Sequence, residues 1–250
     1  MNNLKTIIVI PAHLKSSRLP NKVLIDIAGL PMLQHVYKRC LQVVNEVYVA
    51  TDSKDIANKV ISWGGNVLMT GICTSGTERI VAILDKLDAD IIINVQADQP
   101  LVEPNIIRQL IEVFTTTEPL PDIVTPVYPI TTEEKLFDPN LVKVAIRHDG
   151  YALYFSRNPI PYVRDVNHDD WLNQHDFFGH VGIYGYQRTV LEEYHKLPTS
   201  SLEQTEKLEQ LKFLQAGKSI YTFVTKHNVI SVDTQADLEQ VHTKLNLIGT

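Results

Sequence analysis

Short aliphatic runs alternate with amphipathic stretches along the first hundred residues. Continuous aliphatic runs between turn residues are typical of buried parallel strands, and we predict such strands over 6–10, 46–50, 66–69 and 91–95. Apolar residues at helical spacing predict helices over 32–43, 54–63 and 78–87. Because strands and helices alternate, this half is expected to be an α/β unit with a parallel sheet.

The pattern changes after about residue 120, where residues 118–129 are rich in proline. Antiparallel strands are predicted over 142–146, 151–156 and 181–186, the first two joined by a hairpin turn at 147–150. The polar and aromatic stretch 163–178 is expected to be a mobile loop. Further elements are predicted as a helix over 201–215, short strands over 220–224 and 229–232, and a helix over 234–245 with a Thr234 and Asp237 cap.

Composition narrows the classes of function. The 250 residues suit one domain, and the net charge of −6 argues against general binding of nucleic acid or anionic membranes. Two cysteines without a CxxC pair indicate neither a disulfide framework nor a zinc site. The N-terminal apolar run is too short for a signal peptide, and no run reaches the ~20 apolar residues of a membrane span. We therefore expect a cytoplasmic protein.

The loop after the first strand collects positive charge, with His13, Lys15, Arg18 and Lys22 before the first acidic residue, Asp26. Ligands of such sheets bind beyond the carboxyl ends of the strands. Arginine can grip two phosphate oxygens and lysine adds a point charge, so the loop favours a polyphosphate site. The alternative is an ordinary solvated surface loop.

Two aspartates follow predicted strands. Asp98 lies just beyond the fourth strand, close to Gln96, and Asp233 follows a short strand near the C-terminus. Mg²⁺ takes one or two carboxylates and completes its shell with phosphate and water, so these acids suit a metal site. Each could instead cap a turn or a helix.

Other polar residues stand at helix starts and on strands. Ser75 begins a helix whose N–H groups could bind an anion or could simply be capped. His180 and Tyr184 alternate on one predicted strand, where a lone histidine is more often structural. Arg157 ends another strand, and Glu209 would ordinarily be a solvated helical residue.

Nine segments in order resemble the 3-deoxy-manno-octulosonate (Kdo) cytidylyltransferases, and together they span essentially the whole chain. They are IPAHLKSSRLPNKVLIDIAGLPMLQHV, VATD, SGTER, NVQADQP, FDPNLVKV, GYALYFSR, HVGIYGY, LEQLK and SVDT. The resemblance implies a Rossmann-like, three-layer αβα nucleotidyltransferase with a mostly parallel sheet and a small antiparallel insertion. It further implies a single domain over 1–250, with a nucleotide-binding core of 1–125 and 187–250 and a dimerisation and sugar-pocket sub-domain of about 126–186.

The same resemblance implies the reaction and the partners. Such enzymes join CTP and Kdo to give CMP-Kdo and pyrophosphate for lipopolysaccharide synthesis, need Mg²⁺ and are commonly homodimers. The anomeric hydroxyl attacks the α-phosphate in line, and positioning with charge neutralisation carries most of the catalysis.

Site residues follow from the resemblance by position. The implied catalytic residues are Arg18, Lys22 and Asp98. The implied CTP-binding residues are Ala12, His13, Ser17, Arg18, Lys22 and Ser75. The implied sugar-binding residues are Arg79, Gln96, Arg157, His180, Tyr184, Glu209 and Gln210, and the metal ligands are Asp98 and Asp233.

The chain departs from the family's usual pattern at four positions. His13 and Gly179 stand where the family usually has arginine, Ala97 stands for glycine, and Gln99 stands for glutamate. Three functions stay open: a Kdo enzyme, an enzyme for the 8-amino relative of Kdo, or a non-catalytic CTP- or sugar-binding paralogue. The second would use acids to hold an ammonium group, and the candidates are Asp169, Asp170 and Asp176. A glycosyltransferase is disfavoured because the QAD segment offers a single acid.

Overall fold

The computed structural model describes residues 4–16, 19–226 and 229–248. Its strands are β1 Thr6–Ala12, β2 Asp26–Ile27, β3 Leu30–Pro31, β4 Val47–Thr51, β5 Asn66–Met69, β6 Ile91–Asn94, β7 Ile123–Pro129, β8 Lys143–Ile146, β9 Ala152–Ser156, β10 Phe178–His180, β11 Tyr184–Gln187 and β12 Ile220–Val224. Its α-helices are α1 Met32–Cys40, α2 Lys54–Ser62, α3 Gly76–Val81, α4 Pro104–Thr116, α5 Glu133–Phe137, α6 Trp171–Gln174, α7 Arg188–Glu192, α8 Ser201–Glu206, α9 Gln210–Gln215 and α10 Gln235–Ile248.

The first half of the chain forms the parallel part of the central sheet. Its strands lie in the order β5-β4-β1-β6, and each neighbouring pair is parallel. The four aliphatic residues from Ile7 to Ile10 are all fully buried, and they alternate between two hydrophobic cores on opposite faces of the sheet. A strand covered on both faces must be apolar throughout, which explains the unbroken aliphatic run. The predicted parallel strands are thus confirmed.

The second half extends the same sheet with antiparallel strands. Beyond β6 the order continues β11-β7-β10-β8-β9, while β12 lies parallel to β7. The predicted hairpin is confirmed between β8 and β9, and its turn uses Gly150 with a positive φ of 89°. The fold is therefore an α/β fold with helices on both sides of one mixed sheet.

A third cluster of buried residues joins the two ends of the chain. Ile27 and Met32, which follow the basic loop, pack against Val232, Leu238 and Val241 at the C-terminus. The predicted cap of the last helix is confirmed, because Asp237 N donates to Thr234 Oγ1 and Thr234 N donates to Asp237 Oδ2. Because α10 packs here, the segment that precedes it lies at the edge of the parallel strands.

Three sequence-based elements were wrong. The strand predicted over 181–186 begins too early, because Val181–Ile183 belong to no strand and separate β11 from β10, which lies before the predicted range. The helix predicted over 201–215 is interrupted at Lys207, which takes a left-handed φ of 56°. Residues 229–232 form no strand; instead Val232 N donates to the backbone oxygen of Asp98 at 2.8 Å.

The sequence patterns did not predict two of the ordered regions. Strand β7 contains Pro126 and Pro129, and proline normally argues against a central strand. The stretch predicted as a mobile loop contains α6, where Trp171 is 3% exposed and stacks near Phe177. Among the described helices, none has the length and apolar content that a bilayer crossing requires.

The contact between α4 and β11 yields a stability prediction. A Cβ atom on Gly185 would lie 2.4 Å from Leu110 Cδ2 and 2.5 Å from Phe114 Cε2, so Gly185→Ala forces α4 away from the sheet. Overpacking of this kind typically costs about 1–3 kcal/mol. We expect a lower midpoint in urea unfolding. Gly182→Ala is the matched control, because its nearest neighbour would be at an ordinary 3.6 Å, and an equal loss there would contradict the steric argument.

Candidate active site

A cavity of about 320 Å³ opens beyond the carboxyl ends of β1, β4 and β6. This first cavity is bordered by the basic loop, by the start of α3 and by the turn that follows β6. Its lining includes Ala12, His13, Lys15, Ser16, Lys22, Asp52, Cys73, Ser75, Gly76, Arg79, Gln96, Ala97, Asp98 and Glu209. The predicted residues Ser17 and Arg18 lie outside the described residues.

Lys22 lies between two carboxylates at one end of the first cavity. Its Nζ is 2.7 Å from Asp98 Oδ2 and 2.9 Å from Asp233 Oδ1, and it also donates to the backbone oxygen of Val232 at 3.1 Å. Burial disfavours the charge on Lys22, but attraction to Asp98 and Asp233 outweighs this effect and raises its pKa. Lys22 is therefore a firmly protonated cation at neutral pH.

Local structure brings these three residues together. Lys22 begins a 3₁₀ turn, Lys22–Leu24, and Asn21 before it has the left-handed φ of 56° that asparagine tolerates. Asp98 follows β6, and Asp233 is held beside it by the bond from Val232 N to Asp98 O. The two carboxylates converge on one cation. Among the described residues no three His, Cys, Asp or Glu side chains cluster in a way that could hold a metal.

The start of α3 is capped from within the protein. Ser75 Oγ accepts from Glu78 N at 3.1 Å, and the Glu209 carboxylate accepts from Thr77 N at 3.2 Å and from Gly76 N at 3.4 Å. The sequence left two interpretations of this helix start open, a ligand site and an ordinary cap. The described contacts show the cap. Glu209 is thereby placed in the wall of the first cavity.

Arg79 lies in the first cavity, although the resemblance implied a place in the sugar site. It is 3% exposed, pairs with Asp52 Oδ1 at 3.1 Å and donates to Thr70 Oγ1 at 2.6 Å. Asp52 was missed as a lining residue, although its position directly after β4 was a signal for it. Desolvation by the cavity wall and the Arg79 guanidinium lower the pKa of His13, so this histidine is neutral at pH 7.

A second, smaller cavity of about 210 Å³ adjoins the first, and Gln96 and Glu209 line both. His180, Tyr184 and Gln210, three residues implied for the sugar site, lie in its wall. The Tyr184 hydroxyl donates to Gln210 Oε1 at 3.1 Å, and burial raises the pKa of Tyr184 well above its usual range.

The amide nitrogen of Gln210 is an unused donor in the second cavity. Gln210 is 4% exposed, and its Nε2 has no hydrogen-bond partner among the described residues. The Tyr184 hydroxyl contacts the amide oxygen, and Nε2 is the end of the amide without a partner. A buried donor without a partner is costly, so its presence indicates a ligand at this wall.

Arg157 lines neither cavity. Its guanidinium donates to the backbone oxygens of Glu206 at 2.7 Å and of Pro139 at 3.0 Å. Beside it, the fully buried Lys143 donates to the backbone oxygens of Asp138, Leu141 and Arg157. In this structure Arg157 joins segments of the antiparallel half, and its part in sugar binding stays a prediction.

The family departures have local explanations. A Cβ on Gly179 would be 2.9 Å from the Tyr128 ring, so Tyr128 occupies the space of the missing side chain. Successive residues of a strand point to opposite faces, so position 179 faces away from His180. Gln99 is 3% exposed and its Oε1 has no partner among the described residues. Ala97 is buried in the wall of the first cavity.

The acids invoked for an 8-amino sugar are remote from both cavities. They are exposed and line neither of them: Asp169, Asp170 and Asp176. The structure therefore offers no carboxylate from this group for an ammonium on the ligand.

Comparisons with known proteins agree with this geometry. The cytidylyltransferase family model matches residues 7–220. A 3-deoxy-manno-octulosonate cytidylyltransferase of Escherichia coli is 45% identical, covering 95% of this chain and 94% of that protein. One of Porphyromonas gingivalis is 41% identical over 99% of both chains.

A solved structure shares the whole fold. The CMP:2-keto-3-deoxy-manno-octonic acid synthetase complexed with CTP has a TM-score of 0.90 and 41% identity, and the match covers 98% of this chain and 99% of that one. Full-length identity above 40% together with the same fold leaves no ambiguity of family. The chain belongs to the 3-deoxy-manno-octulosonate cytidylyltransferases, which are nucleotidyltransferases of the cytidylyltransferase family.

Proposed function

We propose that the protein transfers CMP from CTP to the anomeric hydroxyl of Kdo, giving CMP-Kdo and pyrophosphate for lipopolysaccharide synthesis. One observation carries the proposal: two cavities share the side chains of Gln96 and Glu209 as a common wall. The first cavity holds the cations suited to a triphosphate. The second holds His180, Tyr184 and Gln210 together with one cation, Lys207, a set suited to an acid sugar. Two ligands seated there would meet at the shared wall, as a transfer between them requires.

The nucleotide would occupy the first cavity. Lys15, Lys22 and Arg79 supply positive charge to its wall, and Arg18 from the basic loop would add a fork for phosphate oxygens. The cytosine would lie near Ala12 and Ser75. These assignments rest on the cavity lining and on the family resemblance.

We further propose Mg²⁺ as the cofactor, held by Asp98 and Asp233. The fit is supported by the two carboxylate oxygens that both lie within 2.9 Å of the same ammonium nitrogen, because a site that gathers two anions around one cation suits a second cation. When bound, Mg²⁺ neutralises charge on the phosphates. The chain's own contribution is to hold both carboxylates in place and to supply Lys22 as a further cation for the triphosphate.

The sugar would bind in the second cavity, where Gln210 Nε2 and His180 are available to its polar groups. The anomeric hydroxyl would attack the α-phosphate and pyrophosphate would leave. No covalent intermediate with the protein is needed, so catalysis would rest on positioning and on cations directed at the phosphates.

Assembly and location are also proposals. We propose a homodimer with its contact in residues of about 126–186, the part assigned to the sub-domain. This is supported by large apolar side chains exposed there, Phe137, Leu153 and Tyr162. A cytoplasmic location accords with the free thiols of Cys40 and Cys73.

The central test is pyrophosphate release from CTP, Mg²⁺ and Kdo by the wild-type protein and by Asp98→Asn. Wild type should turn over, and Asp98→Asn should lose almost all activity because one metal carboxylate becomes a neutral amide. The protein should still fold, with a modest fall in melting temperature from the lost ion pair, because the amide oxygen can still accept from Lys22. Asp55→Asn, at an exposed acid on α2, is the control and should keep full activity. Full turnover by Asp98→Asn would remove this residue from the metal site.

Lys22→Met should destabilise the free protein by about 1–3 kcal/mol, because two partly buried carboxylates would then face each other without a cation. Thermal melts with and without Mg²⁺ measure the effect. Added Mg²⁺ should recover more of the loss than NaCl of equal ionic strength. Lys15→Met is the control, since Lys15 is exposed and has no ion pair with a described residue. Equal melts for both variants would refute the bridging role of Lys22.

His13→Arg should lower KM for CTP roughly fivefold at pH 7.5, because a charge-assisted contact worth about 1 kcal/mol replaces a neutral ring. His13→Gln should leave KM for CTP nearly unchanged at this pH, since the lowered pKa already makes His13 uncharged. Steady-state kinetics with saturating Kdo give both values. A large rise in KM with glutamine would show instead that His13 is charged when CTP binds.

A further inference from the structure

The hydroxyl of Thr125 lies at the break between β10 and β11. Thr125 is fully buried on β7, and its Oγ1 is 2.8 Å from the backbone oxygen of Ile183 and 3.2 Å from that of Val181. The same oxygen is 2.9 Å from His180 Nε2. One side chain thus contacts two backbone carbonyls of the strand break and the ring of a residue in the second cavity.

The number of available hydrogens determines which atoms donate and which accept around the Thr125 hydroxyl. A threonine hydroxyl has one proton and two lone pairs, while a carbonyl oxygen only accepts. The proton is directed to the carbonyls of the strand break, of which Ile183 O is the closest neighbour of the hydroxyl. The contact with His180 is then satisfied only when Nε2 carries a hydrogen and donates it to Thr125. The other ring nitrogen, Nδ1, is consequently unprotonated.

The ring of His180 is also uncharged. It packs against Phe155 and Tyr184, and burial lowers the pKa of His180 to about 3. No described residue bonds to Nδ1, and the side chain lines the second cavity. His180 therefore offers the cavity a lone pair, which attracts a donor and repels a carboxylate.

We propose that Thr125 is a positioning residue that holds His180 in the Nε2–H tautomer, so that Nδ1 accepts a hydrogen bond from a hydroxyl group of the acid sugar. This inference rests on the proposed function, because it takes the second cavity as the sugar site. It assigns the carboxylate of the sugar to other groups of the site, since an acceptor nitrogen cannot bind it. Thr125 would act through His180 and would not touch the ligand.

The chain provides a matched control for this idea. Thr222 on β12 is the register partner of Thr125, is 5% exposed, and donates its hydroxyl to Gly150 O at 2.7 Å. It has no contact with His180. Thr125→Val and Thr222→Val each remove one buried hydroxyl from a neighbouring strand, and only the first removes the partner of His180. Thr125→Ser keeps the hydroxyl and serves as the conservative variant.

The experiment reads the tautomer directly. Nitrogen-15 NMR of full-length protein labelled at histidine, without ligands, reports which ring nitrogen carries the hydrogen, and His180→Gln assigns the signals. Wild type, Thr125→Ser and Thr222→Val should show His180 as the single Nε2–H form with no titration between pH 5 and 8. Thr125→Val should show both tautomers. A wild-type spectrum with hydrogen on Nδ1, or an unchanged tautomer in Thr125→Val, would overturn the proposal.

Steady-state kinetics provide the second part of the test. In Thr125→Val, KM for Kdo should rise about tenfold while KM for CTP stays unchanged, because a single hydrogen bond in the second cavity is lost. Thr125→Ser should restore KM for Kdo, and Thr222→Val should leave it unchanged. Equal KM for Kdo in Thr125→Val and wild type would contradict the role in substrate binding. Absence of Kdo turnover in wild type would count against the proposed function, while the NMR measurement still decides the tautomer.

Discussion

The geometry of the first cavity depends on one ammonium group that holds two carboxylates together. Lys22 comes from the loop after β1, Asp98 from the turn after β6, and Asp233 from the segment before α10. Two partly buried carboxylates at this separation would repel each other in the absence of a cation. The ion pairs also fasten the C-terminal helix to the front of the sheet. Under the proposed function, stability of the free protein and binding of a metal-bound triphosphate would depend on the same contact.

The division of the sheet explains why two cavities of different character lie side by side. Parallel strands end together and leave a cavity with cations and exposed polar groups, whereas the antiparallel extension contributes a wall of aromatic and neutral polar side chains. The two halves join where β6 pairs with β11, with Asn94 opposite Tyr184. Gln96 and Glu209 lie close to this junction and border both cavities.

Charge is distributed unevenly between the cavities. An acidic chain gathers lysine and arginine around the first cavity, yet His13 stays neutral there because desolvation and then its cationic neighbours lower its pKa. In the second cavity, burial keeps His180 uncharged, and its Nε2 lies 2.9 Å from Thr125 Oγ1. The arginine that the family usually has at position 179 is replaced by glycine beneath the Tyr128 ring, on the face opposite His180. This departure therefore changes the packing of the sheet rather than the wall of the second cavity.

Much of this protein could be predicted from local sequence patterns. The buried parallel strands follow from aliphatic runs, because a strand covered on both faces must be apolar along its whole length. Ordered motifs indicated the family, and the positions of Asp98 and Lys22 after buried strands indicated a shared edge. Tertiary structure decided the rest. No local sequence pattern predicts that Pro126 lies within a central strand, that Lys207 interrupts a helix, or that the Thr125 hydroxyl contacts the ring of His180. Such features arise from contacts between segments distant along the chain, which override local propensity and become definite only when the strands have paired.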